Sequence, residues 1–513
     1  MVWLRLATKA VEAYKRIVEL MGLRILSLDY RFLDADEYIS SIESSRFVRN
    51  TFLPIAFTVA PIVAGILAYK FTPSSNILLT PLLYNSMLLA VSLAIIFSAI
   101  ALLAVVVNGV AGDNLVLTRR DVEEVVRRRD LLETTTIVFS IVTRGDLPWL
   151  AARAAESIRY WASRVSEKYG LKLNTVIEIV SDCYSRILEE VADRLVVVPA
   201  SYRTRKGARY KARALQYAVE KRVADGLVGE NVWVFHLDEE SIVGEDTILG
   251  LLRFIVEAKD RGYVMGCGEL LASNGIISTP ISLVDFQRSF YTLVFQGFTY
   301  AKLHRPYLGL IGNNYVVNSL IEAEIGYDCG PFESLAEDSW FALRVYERYG
   351  ARVGWIKSRV FEEPVYSLKD MLRQRSRWYI GTVANALSKT IGFKAKAAYI
   401  VMTIYWTIAP LGILPTLATV IVTGTLPSDP LLASLAVSAL TVFMELYMLG
   451  AWRTLAPHPI PRLNKIIAVV AVALLTPLLL ALEGLGVVYA WIKPATEFYI
   501  VAKGRGRTLE NTL

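Results

Sequence analysis

The charged residues of this 513-residue chain are segregated, and five long stretches contain none of them. These stretches cover residues 50–69, 71–112, 397–428, 430–444 and 466–482. A helix rises about 1.5 Å per residue, so roughly 20 apolar residues cross the hydrocarbon layer of a bilayer. The sequence therefore predicts membrane-spanning helices near 52–69, 84–107, 398–423, 431–450 and 466–490.

The composition agrees with a chain of two parts. Its 54% of hydrophobic residues is too high for an ordinary soluble protein, and its 20% of charged residues is too high for a membrane bundle. The predicted order is an amphipathic, interfacial segment (1–50), two spans (51–112), a central domain (113–363), interfacial helices (364–396), about three spans (397–492) and a basic tail (493–513).

Basic residues near the ends of the spans indicate the orientation, because Lys and Arg concentrate on the cytoplasmic side. They precede the first span, open the central domain and fill the connector 451–465, whereas the loop 424–430 has none. We therefore expect an integral protein of the cell membrane with a cytoplasmic central domain. Five spans would place the basic tail outside, against the rule, so a sixth crossing or a re-entrant segment is the alternative. The conflicting residues are Lys493, Lys503, Arg505 and Arg507.

The charge and the cysteines narrow the possible partners. A net charge of +7 is better explained by anionic lipid headgroups and phosphorylated substrates than by nucleic acid, for which no motif is present. The three cysteines lie far apart and lack metal-ligand spacing. They indicate a reducing compartment without a disulfide framework.

The central domain alternates β-branched strands with helical segments. Strands are predicted at 134–143, 173–180, 194–199 and 231–237, with helices at 148–168 and 207–224. This alternation is typical of an α/β fold with a mostly parallel sheet. Ligands of such sheets bind beyond the carboxyl ends of the strands. The residues that follow each strand are therefore candidates for the functional site.

These residues are polar. Arg144 follows the first strand, Asp182 the second, and Asp238 and Glu240 the fourth. Two carboxylates two positions apart in extended chain point to one side, as a hard divalent cation requires. After the third strand, Lys206 and Lys211 flank a helix start, which together with the helix dipole favours phosphate binding. A solvated basic helix entry is the alternative for the lysines.

Two further motifs lie between the fourth strand and the third span. Glu337 and Asp338 begin a helix, where they serve either as a cap or as a general base. Immediately before the span, guanidinium groups and an indole ring suit a clamp for a diphosphate and an acceptor, or an interfacial anchor belt. That box consists of Gln374, Arg375, Arg377 and Trp378.

In this order the motifs resemble inverting glycosyltransferases of family 2, the membrane-integrated kind that includes cellulose and hyaluronan synthases. The segments VTRGD (142–146), YKARALQYA (210–218), HLDEES (236–241) and AEDSWFA (336–342) are similar to egghead-type β-1,4-mannosyltransferases. The likeness covers residues 134–382. It implies a nucleotide-sugar-binding domain of the GT-A type, inserted between transmembrane helices.

The resemblance also implies roles for the candidate residues. GDP-mannose would be the donor, with Mg²⁺ or Mn²⁺ at Asp238 and Glu240 and the nucleoside at Asp182. Arg144, Lys206 and Lys211 would contribute to binding of the nucleotide sugar. Asp338, beside Glu337, would be the base that activates the acceptor. A glycolipid or another lipid-linked acceptor is expected, and hence a role in glycolipid biosynthesis.

Three other functions are considered. A processive polysaccharide synthase that uses a UDP-sugar would need a sugar channel, for which five spans with few polar residues give little support. A polyprenyl-phosphate sugar synthase would use lipid phosphate alone as acceptor. A transporter would carry ionisable groups at mid-span depth in several helices, and only Glu445 and Glu483 qualify.

Overall fold

The structure, a computed structural model, describes residues 28–72, 81–275, 280–423, 429–499 and 501. Residues 1–27 of the predicted amphipathic segment lie outside the described residues, as do 424–428 of the predicted outer loop. The same holds for the tail residues Lys503, Arg505 and Arg507. The described part of the first segment forms helix α1 (Ala35–Ser44), whose Ile39 is buried in the core of the central domain.

Within the described ranges, five helices are long and apolar enough to cross a membrane. Four of them contain the whole predicted span and extend it by a few residues at one end or both. The first begins one residue after its predicted span and ends two residues beyond it. Three have internal prolines, which a helix tolerates where packed neighbours satisfy the freed backbone groups. The helices are α2 (Leu53–Phe71), α3 (Pro81–Asn108), and, after the central domain, Phe393–Thr423, Pro430–Leu455 and Arg462–Ile492.

The central domain is built on an eight-stranded, mostly parallel sheet, as predicted. The strand order is β3-β2-β1-β4-β7-β6-β8-β5, in which β7 runs antiparallel to both neighbours and β5 antiparallel to β8. The strands are β1 (Thr136–Thr143), β2 (Asn174–Ser181), β3 (Arg194–Val197), β4 (Val232–Asp238), β5 (Ile242–Val243), β6 (Met265–Leu271), β7 (Tyr315–Asn318) and β8 (Val353–Phe361).

Helices separate most of these strands and cover both faces of the sheet. The longest, Pro148–Tyr169, begins with a proline at its first position and ends at Gly170, whose φ of 63° suits glycine. The helices are α4 (Arg119–Arg127), α5 (Arg129–Glu133), α6 (Pro148–Tyr169), α7 (Arg186–Val191), α8 (Tyr210–Ala224), α9 (Glu245–Arg261), α10 (Pro280–Leu283), α11 (Phe286–Phe290), α12 (Gly297–Ala301), α13 (Ser319–Ile325), α14 (Glu337–Tyr349) and α15 (Leu368–Leu387). The three later membrane helices are then α16, α17 and α18 in chain order.

The register of the parallel strands brings their carboxyl ends to one edge. Thr143 at the end of β1 pairs with Ser181 at the end of β2, and Val142 pairs with Asp238 at the end of β4. Residues that follow these three strands therefore lie side by side, which is the arrangement that the sequence predicted for ligand binding.

Buried polar contacts join the central domain to the membrane helices. The Arg453 Nε of α17 donates to a carboxylate oxygen of Glu269 in β6 at 2.8 Å, and both side chains are buried. The hydroxyl groups of Ser289 and Thr454 lie 3.0 Å apart. These contacts fix the carboxyl-terminal end of α17 against the central domain.

Helix α18 contacts the central domain near both of its ends. Before it, a ring nitrogen of His458 lies 2.8 Å from the Ser273 carbonyl oxygen, just after β6. After it, the Tyr210 hydroxyl of α8 donates to the Thr496 carbonyl at 3.0 Å. The segment 493–499 thus crosses the domain rather than leaving it, so the described part of the tail lies on the side of the domain.

Candidate active site

A cavity of about 890 Å³ opens at the carboxyl edge of the sheet and brings most of the predicted residues together. Its wall includes residues from β-strand ends, from the start of α14 and from α15. The predicted residues among them are Arg144, Asp182, Lys211, Asp238, Glu240, Glu337, Asp338, Gln374, Arg377 and Trp378. Lys206 and Arg375 are not among the lining residues.

Asp238 and Lys211 form an ion pair at the centre of this wall. The Lys211 ammonium group donates to Asp238 and, at 2.8 Å, to the Gly312 carbonyl oxygen. Burial alone would lower the pKa of Lys211, but the surrounding carboxylates, Asp238 and Glu337 foremost, raise it above its ordinary value. Lys211 is therefore a permanent cation, positioned to offset negative charge in the cavity.

The turn after β4 is held in place by contacts with β1. The Thr143 hydroxyl donates to Glu239, and the Ser241 amide closes the turn by donating to the Asp238 carbonyl at 3.1 Å. With Glu239 directed to the neighbouring strand end, Asp238 and Glu240 both line the cavity. Glu239 lines the cavity too, because Glu239 and Glu240 lie in a turn after β4. The alternation expected for an extended chain is therefore not what brings Asp238 and Glu240 to the same wall.

Two oxygen-bearing side chains in one wall fit a hard divalent cation. Carboxylate oxygens are the ligands that Mg²⁺ and Mn²⁺ prefer. Among the described residues there is no group of three or more His, Cys, Asp or Glu residues suited to a metal ion. Asp238 and Glu240 would therefore supply only part of the shell, and Mg²⁺ commonly completes such a shell with water and substrate phosphates.

Asp182 lies at the rim, where β2 ends. Arg213 of α8 donates to its carboxylate at 2.5 Å and thereby fixes its direction. Arg144, after β1, pairs at 3.3 Å with Asp146, and both side chains are largely exposed. This part of the cavity is polar and open to solvent, as a nucleoside site at the mouth of a cleft requires.

Glu337 and Asp338 line the same cavity from the first turn of α14. The N-cap position of this helix is occupied by Ala336, so neither carboxylate is in the capping position, and the cap interpretation does not fit. The Ser339 amide donates to Asp338 at 2.7 Å. Burial, followed by the adjacent Asp338 charge, raises the pKa of Glu337 to about 7, and burial also raises the pKa of Asp338.

Within the box on α15, Arg377 faces the cavity and Arg375 does not. The Arg377 guanidinium lies 3.9 Å from the ring centroid of Phe498, and among the described residues no acceptor is bonded to its Nε. Burial lowers the pKa of Arg377, while Glu337 and Asp338 oppose that shift. A buried guanidinium with a donor to spare suits an anionic ligand.

The structure corrects the prediction for Arg375. Its fully buried guanidinium donates to Asp285 at 2.7 Å and to Glu483 at 2.8 Å, so these carboxylates already occupy its donors. Lys206 also differs from the prediction: it is exposed, outside the cavity wall, and its backbone amide donates to Asp328 at 2.7 Å. Neither side chain is placed to bind a diphosphate in this cavity.

Several residues of the wall were not predicted from the sequence. Arg288 of α11 donates to Glu362 and lies 5.7 Å from the ring of Trp378. Tyr210 and Phe498 pack against each other with ring centroids 5.8 Å apart. An arginine in an otherwise apolar stretch, FQRSF at 286–290, was the one available signal. Phe498 reaches the cavity wall because the chain turns back onto the central domain after α18. No sequence pattern near residue 498 predicts that turn.

Comparisons with known proteins identify the class of protein. A family model described as glycosyl transferase family group 2 matches residues 233–480. These residues are similar to that family, and the chain is a glycosyltransferase, as the resemblance of its motifs implied.

Particular relatives are mannosyltransferases. The chain is 26% identical over 382 residues to β-1,4-mannosyltransferase egh of Drosophila melanogaster, covering 74% of this chain and 81% of that protein. It is 29% identical over 371 residues to β-1,4-mannosyltransferase bre-3 of Caenorhabditis elegans, covering 72% and 78%. A solved structure, the mannosyltransferase PcManGT from Pyrobaculum calidifontis in complex with GDP-Man and Mn²⁺, is 16% identical, with a TM-score of 0.39, covering 71% of this chain and 99% of that one.

The raised pKa values of the acidic pair predict the pH dependence of activity. A general base acts only when deprotonated, so the acidic limb of kcat/KM for sugar transfer should lie at higher pH than the ordinary pKa of an aspartate, about 4. Glu337→Gln removes one of two neighbouring negative charges and should move this acidic limb to lower pH. The measurement is a pH–rate profile of both proteins. Activity that stays constant between about pH 5 and 8 would contradict the prediction.

Proposed function

We propose that this protein transfers mannose from GDP-mannose to a lipid-linked acceptor at the membrane surface, with inversion, forming a β-glycosidic bond. The observation that carries the proposal is a single cavity in which Asp238, Glu240 and Asp338 share a wall with residues of the membrane helices. The names of the curated relatives support mannose as the sugar. Their β-1,4 linkage supports inversion of an α-linked donor.

The donor would lie across the carboxyl edge of the sheet. Asp182 and Arg144, at the open rim, suit the nucleoside, while Lys211 and Arg377 lie deeper and would face the diphosphate. A divalent cation held by Asp238 and Glu240 would supply Lewis-acid neutralisation of the diphosphate leaving group. Fixed cations near the place where negative charge develops lower the barrier most effectively in a site that excludes water.

Asp338 would remove the proton from the acceptor hydroxyl as its oxygen attacks the anomeric carbon. The raised pKa of Asp338 suits this role, because a base with a pKa near the working pH combines sufficient basicity with the correct protonation state. The bond to the diphosphate oxygen breaks as the new bond forms, so one displacement inverts the configuration. Glu337 would tune Asp338 through its charge.

We further infer that the central domain is cytoplasmic and that four helices cross the membrane. The cavity would then have access to nucleotide sugars of the cytosol, and the basic connector 451–465 would lie on the cytoplasmic side. Because α18 contacts the domain near both ends, it would not cross completely. The basic tail then lies inside as well, and the conflict that five complete crossings would cause disappears.

The first prediction concerns donor and metal. In a panel of nucleotide sugars, the purified protein should hydrolyse or transfer from GDP-mannose, and only with divalent cation. Asp238→Ala should abolish this, because the carboxylate pair loses one of its two cation ligands. Asp146→Ala, a nearby exposed carboxylate outside the cavity wall, is the matched control and should be nearly normal. Full turnover in excess chelator would contradict the requirement for a metal ion. Turnover of a UDP-sugar alone would favour the processive polysaccharide synthase.

The second prediction separates the base from its neighbour. Asp338→Asn keeps size and hydrogen bonding but cannot accept a proton, so transfer should fall by about 10² to 10⁴ while donor affinity is retained. Glu337→Gln should lose much less. The measurement is the transfer rate beside the affinity for donor. If Asp338→Asn transfers almost normally and Glu337→Gln does not, the two roles must be exchanged.

The third prediction concerns orientation. In intact cells, a membrane-impermeant maleimide should label Ser428→Cys but neither Asn464→Cys nor Lys493→Cys. The exposed native Cys183 is an internal control and should also remain unlabelled until cells are opened. Labelling at 464 would overturn the orientation, whereas labelling at 493 alone would show that α18 does cross.

A further inference from the structure

The cavity does not end at the catalytic residues, because one face of α16 lines it over five turns. The lining residues recur every three or four positions, as a single helical face requires: Tyr399, Met402, Trp406, Ala409, Ile413 and Leu417. Tyr399 and Leu417 are eighteen positions apart, which corresponds to about 27 Å along a helix. Tyr399 packs at Gly309 and Ser339, next to Asp338, so the face begins at the proposed base.

The deep end of the cavity lies close to the outer ends of the helices. Leu417 is six residues from the end of α16, and Ala436 is six residues from the start of α17. Ala90 of α3 lines the same end, six residues from Tyr84, whose hydroxyl donates to Asp429 at 3.1 Å. Six residues of helix correspond to about 9 Å.

This distance places the deep end beyond the middle of the bilayer. The polar contact between Tyr84 and Asp429 marks the outer boundary, and half of the hydrocarbon layer is about 15 Å thick. A cavity that reaches to within about 9 Å of that boundary has passed the midplane. The tails of a lipid that occupies one leaflet end at the midplane, so they would leave the deep end empty.

The lining of the deep part is apolar. Val437, Leu440 and Phe443 of α17 face Ile413 and Leu417 of α16, and the Thr416 hydroxyl is already bonded to the Gly412 carbonyl at 2.7 Å. A sugar chain would leave many hydroxyl groups without hydrogen-bond partners here, and burying such groups is unfavourable. Hydrocarbon carries no such cost. The lining therefore favours a lipid chain over a growing polysaccharide.

We propose that this part of the cavity binds the hydrocarbon chain of the acceptor, and that this chain is longer than one leaflet. The inference rests on the proposed transfer to a lipid-linked acceptor and specifies the lipid: a chain of polyisoprenoid length, or one that spans the bilayer. The hydroxyl that accepts the sugar lies at Asp338, and the chain follows α16 past the midplane to Leu417 and Ala436.

The test uses glucosides of octanol and of undecaprenol, each with a diazirine at the far end of its chain, and the full-length protein in lipid nanodiscs. After irradiation, mass spectrometry locates the adducts. The undecaprenyl probe should label the segments around Leu417 and Ala436, and the octyl probe should label those around Tyr399 and Trp406. Labelling by the long probe only at lipid-facing residues outside the cavity wall, such as Ile62 and Ile66 of α2, would overturn the proposal.

Two variants sharpen the result. Ala436→Phe fills the deep end and should reduce labelling there by the long probe about tenfold, because the ring occupies the space that the chain needs. Labelling by the octyl probe should persist. Ala418→Phe makes the same change at the exposed face and should leave both probes unaffected. If the long probe labels both variants equally, the chain does not occupy this site.

Mannosyl transfer by the unaltered protein, assayed in the same nanodiscs, separates this inference from the proposed function. Transfer to acceptors of any chain length without deep labelling overturns the chain site alone. Absence of transfer from GDP-mannose, with deep labelling retained, would instead overturn the proposed reaction and leave a lipid site of this depth.

Discussion

The fully buried Arg375 guanidinium connects the two halves of this protein. It binds Asp285, which precedes α11 in the central domain, and Glu483, in the middle of α18. Asp285 also accepts from the Val365 amide at 2.7 Å, so the segment leading into α15 is fixed by the same group. Removing one member would leave an uncompensated charge in a low dielectric, which commonly costs about 3–5 kcal/mol. The arginine therefore sets the position of the box on α15 relative to the membrane helices.

The active site brings more carboxylates together than cations. Nine carboxylates line one cavity, including Asp238, Glu240, Glu337 and Asp338, and only four cations offset their charge: Arg144, Lys211, Arg288 and Arg377. The imbalance is consistent with the raised pKa values of the acidic pair. It would also favour a divalent cation, whose positive charge would offset that of a bound diphosphate.

Sequence reasoning succeeded where the signals are local. The strands β1 to β4 follow from β-branched runs, the membrane helices from charge-free stretches, and the edge cluster around Asp238 from the rule that parallel strands end together. It failed for Arg375, because the box motif gives the spacing of its side chains but not their direction. The buried partners Asp285 and Glu483 are 90 and 108 residues away, and such pairing depends on the tertiary fold. Residues 493–499 pack across α15 and α8, and no pattern in their own sequence predicts this position.

The course of α18 has a consequence for biogenesis. A segment of this hydropathy would be recognised as a span when it leaves the ribosome, yet both of its ends contact the central domain. Since the domain precedes α18 in the chain, it is synthesised first and can fold before that helix emerges. Arg375 and Tyr210, which bind Glu483 and Thr496, would be uncovered before α18 is in place. The helix would then dock against them from the side, without crossing the bilayer. The last step of assembly would be this docking, which closes the active site and the membrane portion together.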